Sequence, residues 1–177
     1  MANNYRIFVE KYPEFQVEAA SLKAELNENL QLDLQSLRLL NVYDLFGFTP
    51  ELLEKSRYSV FGEIVTDKVS DECDLTGTRY IAVEYLPGQF DQRAASAVDC
   101  VHLIDPKADV RIKSSKLIIL SGDTDDATIA KIKHYYINAV ESREKDLSKL
   151  TDAESAAVKP VPVLDGFTKM TDADLEP

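Results

Sequence analysis

Arg6-Ile7-Phe8-Val9-Glu10 returns 74 positions later as Tyr80-Ile81-Ala82-Val83-Glu84. Each run is short and rich in β-forming residues, and each heads its own half of the chain. A proline and then a phenylalanine follow both times, Pro13 and Phe15 first, Pro87 and Phe90 second, with one extra residue in the later copy raising the offset to 75. From there Phe15, Ala19, Leu22 and Leu26 stand at i, i+4, i+7 and i+11, and Phe90, Ala94, Ala97 and Val101 occupy the same four positions of the second copy. Both sets read as the apolar stripe of an amphipathic helix. The other faces are polar, with Glu14, Glu18, Lys23, Glu25 and Glu28 in one copy and Asp91, Gln92, Arg93 and Asp99 in the other. A strand motif and a helical stripe repeated at one spacing imply an internal duplication.

Working outward, Leu37–Tyr43 is a β-rich stretch answered by Val110–Ile112 and Lys116–Leu120, which the pair Ser114-Ser115 is expected to fold into a hairpin. Asp44–Thr49 is read as a similar turn in the first copy. A second helix then follows in each. Thr49-Pro50-Glu51 supplies an N-cap, a proline at the first helical position and an acid in the first turn, and Asp123–Asp126 does the same before Ala127–Tyr136, with Ile129, Ile132 and Tyr136 on one stripe. Extended stretches near Ser59–Val69 and Ile137–Glu141 close the copies. The expected fold class is α+β, a tandem duplicated β-α-β-β-α-β or ferredoxin-like arrangement. The organisation expected is a first repeat over residues 1–74, a second over 75–145, and an extended linker over 146–177. A single unit of about 70 residues buries little core and leaves one sheet face bare. Two copies can stack those faces so that each sheet shields its twin, or join edge to edge into one longer sheet.

Composition narrows the function classes. The chain has 177 residues, 45% hydrophobic, with 31 acidic and 20 basic side chains and a net charge of −11. Such a surface repels nucleic acid and anionic lipid unless a local basic patch intervenes. No apolar run approaches the ~18 residues of a membrane span, and the opening MANNYRIFVE lacks the basic-then-apolar pattern of a secretory leader. A cytoplasmic protein with reduced thiols is therefore expected. The charge is uneven: 7 basic and 14 acidic groups in residues 1–74, 8 and 8 in 75–140, 5 and 9 in 141–177. The second copy is thus the better suited to meet an acidic neighbour. The two cysteines, Cys73 and Cys100, form no CxxC, and two histidines, His102 and His134, do not furnish the roughly four ligands of a zinc site. No phosphate-binding GxxxxGK[ST] occurs.

Most chemistry-bearing residues have ordinary structural readings. Cys100, beside Val101, is expected in the core, while the acidic stretch around Cys73 should raise its pKa. His102 is read as a helix residue at or near the surface and His134 as a cation at a helix C-terminus. Asp123, Asp125 and Asp126 fit helix N-terminal acids better than a cation site, and Arg111, Lys113 and Lys116 fit a solvated or docking hairpin better than a phosphate site. Leu86-Pro87-Gly88-Gln89-Phe90-Asp91-Gln92-Arg93 is more rigid and more polar than a strand-to-helix joint requires. Gln89, Asp91 and Arg93 are accordingly candidate interdomain contacts, joined by Arg143 and Glu144 at the exit into the linker. The tail, with Lys159–Leu164 proline-punctuated and Thr171–Glu176 opening a helix that ends at once, suggests the front piece of a longer protein.

The strings RIFVEKYPEF, IAVEYLPGQFDQRAASA, KLIILSGD and YYINAVESRE closely resemble the N-terminal region of the large single-chain phosphoribosylformylglycinamidine synthases, in the form found in clostridia and related anaerobes. The likeness runs from about Tyr5 to Glu144, with a fainter echo over Val163–Phe167. The resemblance implies a domain similar to a fused dimer of the small PurS subunit. It also implies a parent ligase of purine biosynthesis that forms a C–N bond with glutamine as amide donor, using ATP and Mg. The domain would help dock the synthetase and glutaminase domains of the same chain around the ammonia path. It would hold no cofactor and no catalytic, substrate-binding or metal residue of its own, and would be inactive alone. Apolar patches uncovered by isolation can make it self-associate. Two other classes stay open: a regulatory module binding a small ligand between the doubled units, and a free-standing enzyme with carboxylates around Glu84 and Asp91.

Overall fold

The computed structural model describes residues 3–121 and 123–152. The first half runs β1 (Asn3–Lys11), α1 (Val17–Leu30), β2 (Leu37–Phe48), α2 (Pro50–Ser56) and β3 (Asp67–Ser70). The second runs β4 (Arg79–Tyr85), α3 (Gln92–Ile104), β5 (Arg111–Leu120), α4 (Asp126–Tyr136) and β6 (Ser142–Glu144). Over the described residues the fold is α+β, with four α-helices and one six-stranded antiparallel sheet in the order β3-β1-β2-β5-β4-β6. Among the described residues no helix is long and apolar enough to cross a membrane. The expectations for Lys159–Leu164 and Thr171–Glu176 lie outside the described residues.

Each half has one strand fewer than expected, because neither turn within its middle forms. Ser114 and Ser115 sit mid-strand, each 6% exposed, in a ladder in which β5 pairs with β2 from Leu37–Leu120 to Phe46–Arg111. Neither serine brings the glycine, asparagine or proline that a tight hairpin demands, and ten paired positions against the twelve-residue β2 hold both extended. Asp44–Thr49 likewise continues β2 through Phe48. Gly47, one residue before the end of β2, stands at φ +79°, and a Cβ there would strike the Asp109 carbonyl, so the backbones meet where only glycine fits. The segment after α2 is a π-helical turn, Arg57–Phe61, with β3 confined to Asp67–Ser70, and the second half closes at Ser142–Glu144, just beyond Ile137–Glu141.

The halves join at an edge; their sheets do not stack. Register repeats at the spacing seen in the sequence. Glu10 faces Leu40 across β1 and β2, and 74 and 75 positions later Glu84 faces Ser115 across β4 and β5. Val9 faces Val69, and Val83 faces Glu144.

All four helices lie on one face, but not each over its own half. Ala19, Leu22 and Leu26 of α1 pack with Ile129 and Ile132 of α4 onto Ile81, Val83, Ile118 and Leu120 of the second-half strands. Ala94, Ala97 and Val101 of α3 pack with Leu52, Leu53 and Phe61 onto Ile7, Val9, Tyr43 and Leu45, mostly of the first half. The first helix of each half therefore covers strands of the other, which makes the halves interdependent. Phe15 and Phe90 precede the helices and stay 42% and 75% exposed, so the buried stripe has three points where four were expected. Cys100 is exposed, not in the core, because Val101 takes the inward position and its neighbour is rotated about 100° away. On the opposite sheet face Phe8, Leu40, Val42, Ala82, Leu117 and Ile119 form a third cluster, roofed by Cys73, Leu75 and Leu147.

Candidate functional site

The loop between β4 and α3 is built by its own residues. Leu86–Gln89 is a tight turn closed by the Gln89 N–H on the Leu86 carbonyl at 3.0 Å, with Pro87 at its first corner and Gly88 at φ +88°. The Leu86 N–H donates to the Glu141 carbonyl at 2.9 Å and Gln89 Nε2 to the Val140 carbonyl at 3.3 Å, tying the loop to the turn before β6. Asp91 caps α3 by accepting from the Ala94 N–H at 2.9 Å. The same carboxylate accepts from the Ser114 N–H at 2.8 Å and the Ser114 hydroxyl at 2.9 Å. Pairing of β4 with β5 stops at Glu84–Ser115, and Asp91 takes the next β5 N–H in place of a strand.

The loop, β5 and β6 enclose a cavity of about 360 Å³ that Glu84, Gln89, Asp91, Arg111, Lys113 and Arg143 help to line. Gln89, Asp91 and Arg143 are thus brought together. Arg93 points to a neighbouring hollow on the helix face, and Glu144 lies on the edge strand, paired with Lys133 at 2.7 Å. Arg111 and Lys113 line the cavity while Lys116, on the other sheet face, pairs with Glu18 at 2.7 Å; one strand's alternation separates what a hairpin would have gathered. Arg111 pairs with Asp152, whose carbonyl accepts from Lys113 Nζ at 3.2 Å.

Beside this cavity lies a charge network that the sequence reading missed. Asp44, 3% exposed, accepts from Arg6 through Nε at 2.6 Å and through the second fork nitrogen at 3.0 Å, and from Lys145 Nζ at 2.7 Å. Lys145 stands 3.4 Å from Glu84, which also accepts from Arg143 Nε at 2.8 Å. The signal was one carboxylate in the otherwise apolar run Val42–Phe46, where burial demands a partner. Arg6 further donates to the carbonyls of Leu147 and Lys149, the latter at 2.6 Å, so residues 145–149 are strapped onto the sheet.

The remaining side chains keep structural roles. Asp125 caps α4 at the Thr128 N–H, and Asp126 pairs with Arg79. His134 is exposed, as is His102, which meets the Ala108 carbonyl at 3.1 Å. Burial pushes the Cys73 thiol above its ordinary pKa, with Glu10 and Asp74 adding to the rise and Arg38 opposing it. Chemically, the cavity offers paired ions. Both oxygens of Asp91 are engaged as anchors, and Glu84 is shared by two cations. The arrangement fixes a loop more readily than it moves a proton. No family model, curated protein or solved structure matches this chain.

Proposed function

We propose that the chain is an assembly domain of a phosphoribosylformylglycinamidine synthase, a tandem duplicate of a PurS-like unit acting in the cytoplasm. It would dock the synthetase and glutaminase domains of its parent around the ammonia path, with ATP and Mg handled by those other domains. The observation that carries this reading is the pairing register. Positions 74 and 75 apart in sequence occupy equivalent rungs on the two sides of one sheet, as a fused dimer requires. The loop resembling the family's EYLPGQFDQRA string supports it further. Its polar residues are spent on holding its own shape, and Phe90 and the adjacent Val140 are left 75% and 78% exposed. A rigid loop with an apolar tip suits a permanent contact better than turnover.

The test is reconstitution. A parent synthase lacking this domain, mixed with the 177-residue chain, is expected to regain glutamine-dependent synthesis of the amidine, and Phe90→Asp is expected to weaken that rescue. Failure of the chain to bind or to restore the glutamine-dependent rate removes the proposal.

A further inference from the structure

The two helix pairs do not close over the middle of the sheet. The hollow between them, about 260 Å³, includes the central Asn41–Lys116 rung and is lined by Asn41, Tyr85, Arg93, Lys116, Tyr136 and Glu141 among others. It opens on the helix-covered face and adjoins the cavity under the loop, the two sharing Glu84, Tyr85 and Ser114 between them.

Three features give this hollow a ligand chemistry. First, Asn41 Oδ1 is shut off from solvent and has no hydrogen-bond partner among the described residues. A buried acceptor left unpaired is costly, and a ligand N–H would relieve it. Second, the Arg93 guanidinium makes one long hydrogen bond among the described residues, to the Tyr43 hydroxyl at 3.5 Å. Most of its planar fork is open to a carboxylate. Third, the ionic residues around the hollow balance. Arg93 and Lys116 are offset by Glu141 and by Glu18, which Lys116 holds at 2.7 Å, while Glu84 at the rim turns its carboxylate to Arg143 and Lys145. A phosphate dianion would meet acids that nothing offsets, whereas a zwitterion meets both signs. The space is below the ~300–1,000 Å³ of sites for drug-sized ligands, and Tyr85 and Tyr136 provide apolar walls for a side chain.

We propose that this hollow binds a free α-amino acid, its carboxylate on Arg93 and its ammonium donating to Asn41 Oδ1. The site does not depend on the assembly role and would stand if that reading fell.

The experiment uses the whole isotopically labelled chain, titrated with pools of the twenty common L-amino acids and then with single members. Acetate, ethylamine, lactate and inorganic phosphate serve as controls, and shifts are followed at the Asn41 side-chain amide and Arg93 Nε. At least one amino acid should give saturable shifts with Kd below about 1 mM, and each control should bind at least about tenfold more weakly. Arg93→Met should weaken binding by about tenfold or more. Asn41→Leu guards against simple unfolding: removing an orphaned acceptor should keep or raise the melting temperature while abolishing binding. No saturable shift at Asn41 with any amino acid up to about 10 mM overturns the proposal. So does equal affinity for lactate or phosphate, or undiminished binding by a folded Asn41→Leu chain.

Discussion

Glu10 and Glu84 occupy equivalent rungs of the two halves, each opposite a residue of the second strand in its half. Their surroundings differ. Glu10 accepts a two-pronged contact from Arg38 at 2.7 and 2.6 Å, and that arginine side chain is 45% exposed. Glu84 faces Lys145, whose side chain is 4% exposed and bound to the equally buried Asp44. Strand geometry does not separate the two. The path of the chain after the third strand of each half does. After β3 it passes Cys73 and Leu75 on its way to β4, whereas after β6 Lys145 and Leu147 are held against the sheet by Asp44 and Arg6. The two glutamate side chains are about equally covered, at 15% and 19% exposed, so the difference lies in the cation: one backbone plan yields a pair whose arginine reaches solvent at one place and a network whose lysine is buried at the other, according to what is laid over it.

The sharpest way to break this contrast is to remove one carboxylate from each place. Asp44→Ala strands Lys145 and Arg6 in a site closed to water, with Glu84 at 3.4 Å as partial compensation. A loss of about 3–5 kcal/mol in urea unfolding is expected. Glu10→Ala removes a partner that water can replace, and about 1 kcal/mol or less should follow. Equal losses would mean that residues 145–149 do not cover Asp44 in solution.

The helix pairs extend the comparison to packing. Under α1 the buried residues are Ala19, Leu22 and Leu26, and the equivalent places on α3 hold Ala94, Ala97 and Val101. The volume missing from α3 is made up by rings. The π-helical turn brings Phe61 to 5.0 Å from Tyr43 and 6.2 Å from Phe48, centroid to centroid. Leu26, fully buried, should therefore cost about 2–5 kcal/mol on replacement by alanine. At Val101, also fully buried, the harmful change is the opposite one: Val101→Phe forces a ring into the filled cluster and should cost about 1–3 kcal/mol. Denaturant midpoints of the two variants measure the difference, and a neutral Val101→Phe would show unfilled space between α3 and its partners.

Much of this architecture was legible because apolar periodicity and short-range chemistry are local. Three of the four stripe positions in each copy, Ala19–Leu22–Leu26 and Ala94–Ala97–Val101, and the Thr49 cap with Pro50 are found as read, and strand register recurs at an interval of 74 to 75. The hairpin was misread because a polar residue in a strand looks like a break when its partner is distant in sequence. Ser114 is polar for the sake of Asp91, 23 positions earlier. Asp44 and Lys145, 101 positions apart, were invisible for the same reason. Of the candidate contacts, Gln89, Asp91 and Arg143 did converge on one cavity, since a strand end, a loop and an edge strand meet there, but their separate hydrogen-bond partners, Val140, Ser114 and Glu84, could not be read from types alone. Which helix would cover which half was also hidden, because both halves present similar apolar strands.

The smallest expected effect concerns Asp71 and Asp146, again 75 positions apart. Asp71 reaches back to Arg57 of the π-helical turn at 2.9 Å. Asp146 closes a turn of its own, accepting from the Ser148 hydroxyl at 2.6 Å, the Ser148 N–H at 3.0 Å and Lys149 at 2.9 Å. The Ser148 hydroxyl, then Lys149 and the Ser148 N–H, hold its carboxyl at about 2, below the ordinary 3.8. A folded pKa below the unfolded one favours folding wherever the carboxylate is ionised in both states, above 3.8, and that contribution is lost as pH falls toward about 2. A carboxyl-carbon NMR titration should place the Asp146 midpoint near 2, and Ser148→Ala, which removes the largest contributor, should move it up toward 3.8. A midpoint that ignores Ser148→Ala would mean that the turn after β6 is not closed as described, and the strap beginning at Lys145 would lose its anchor on that side.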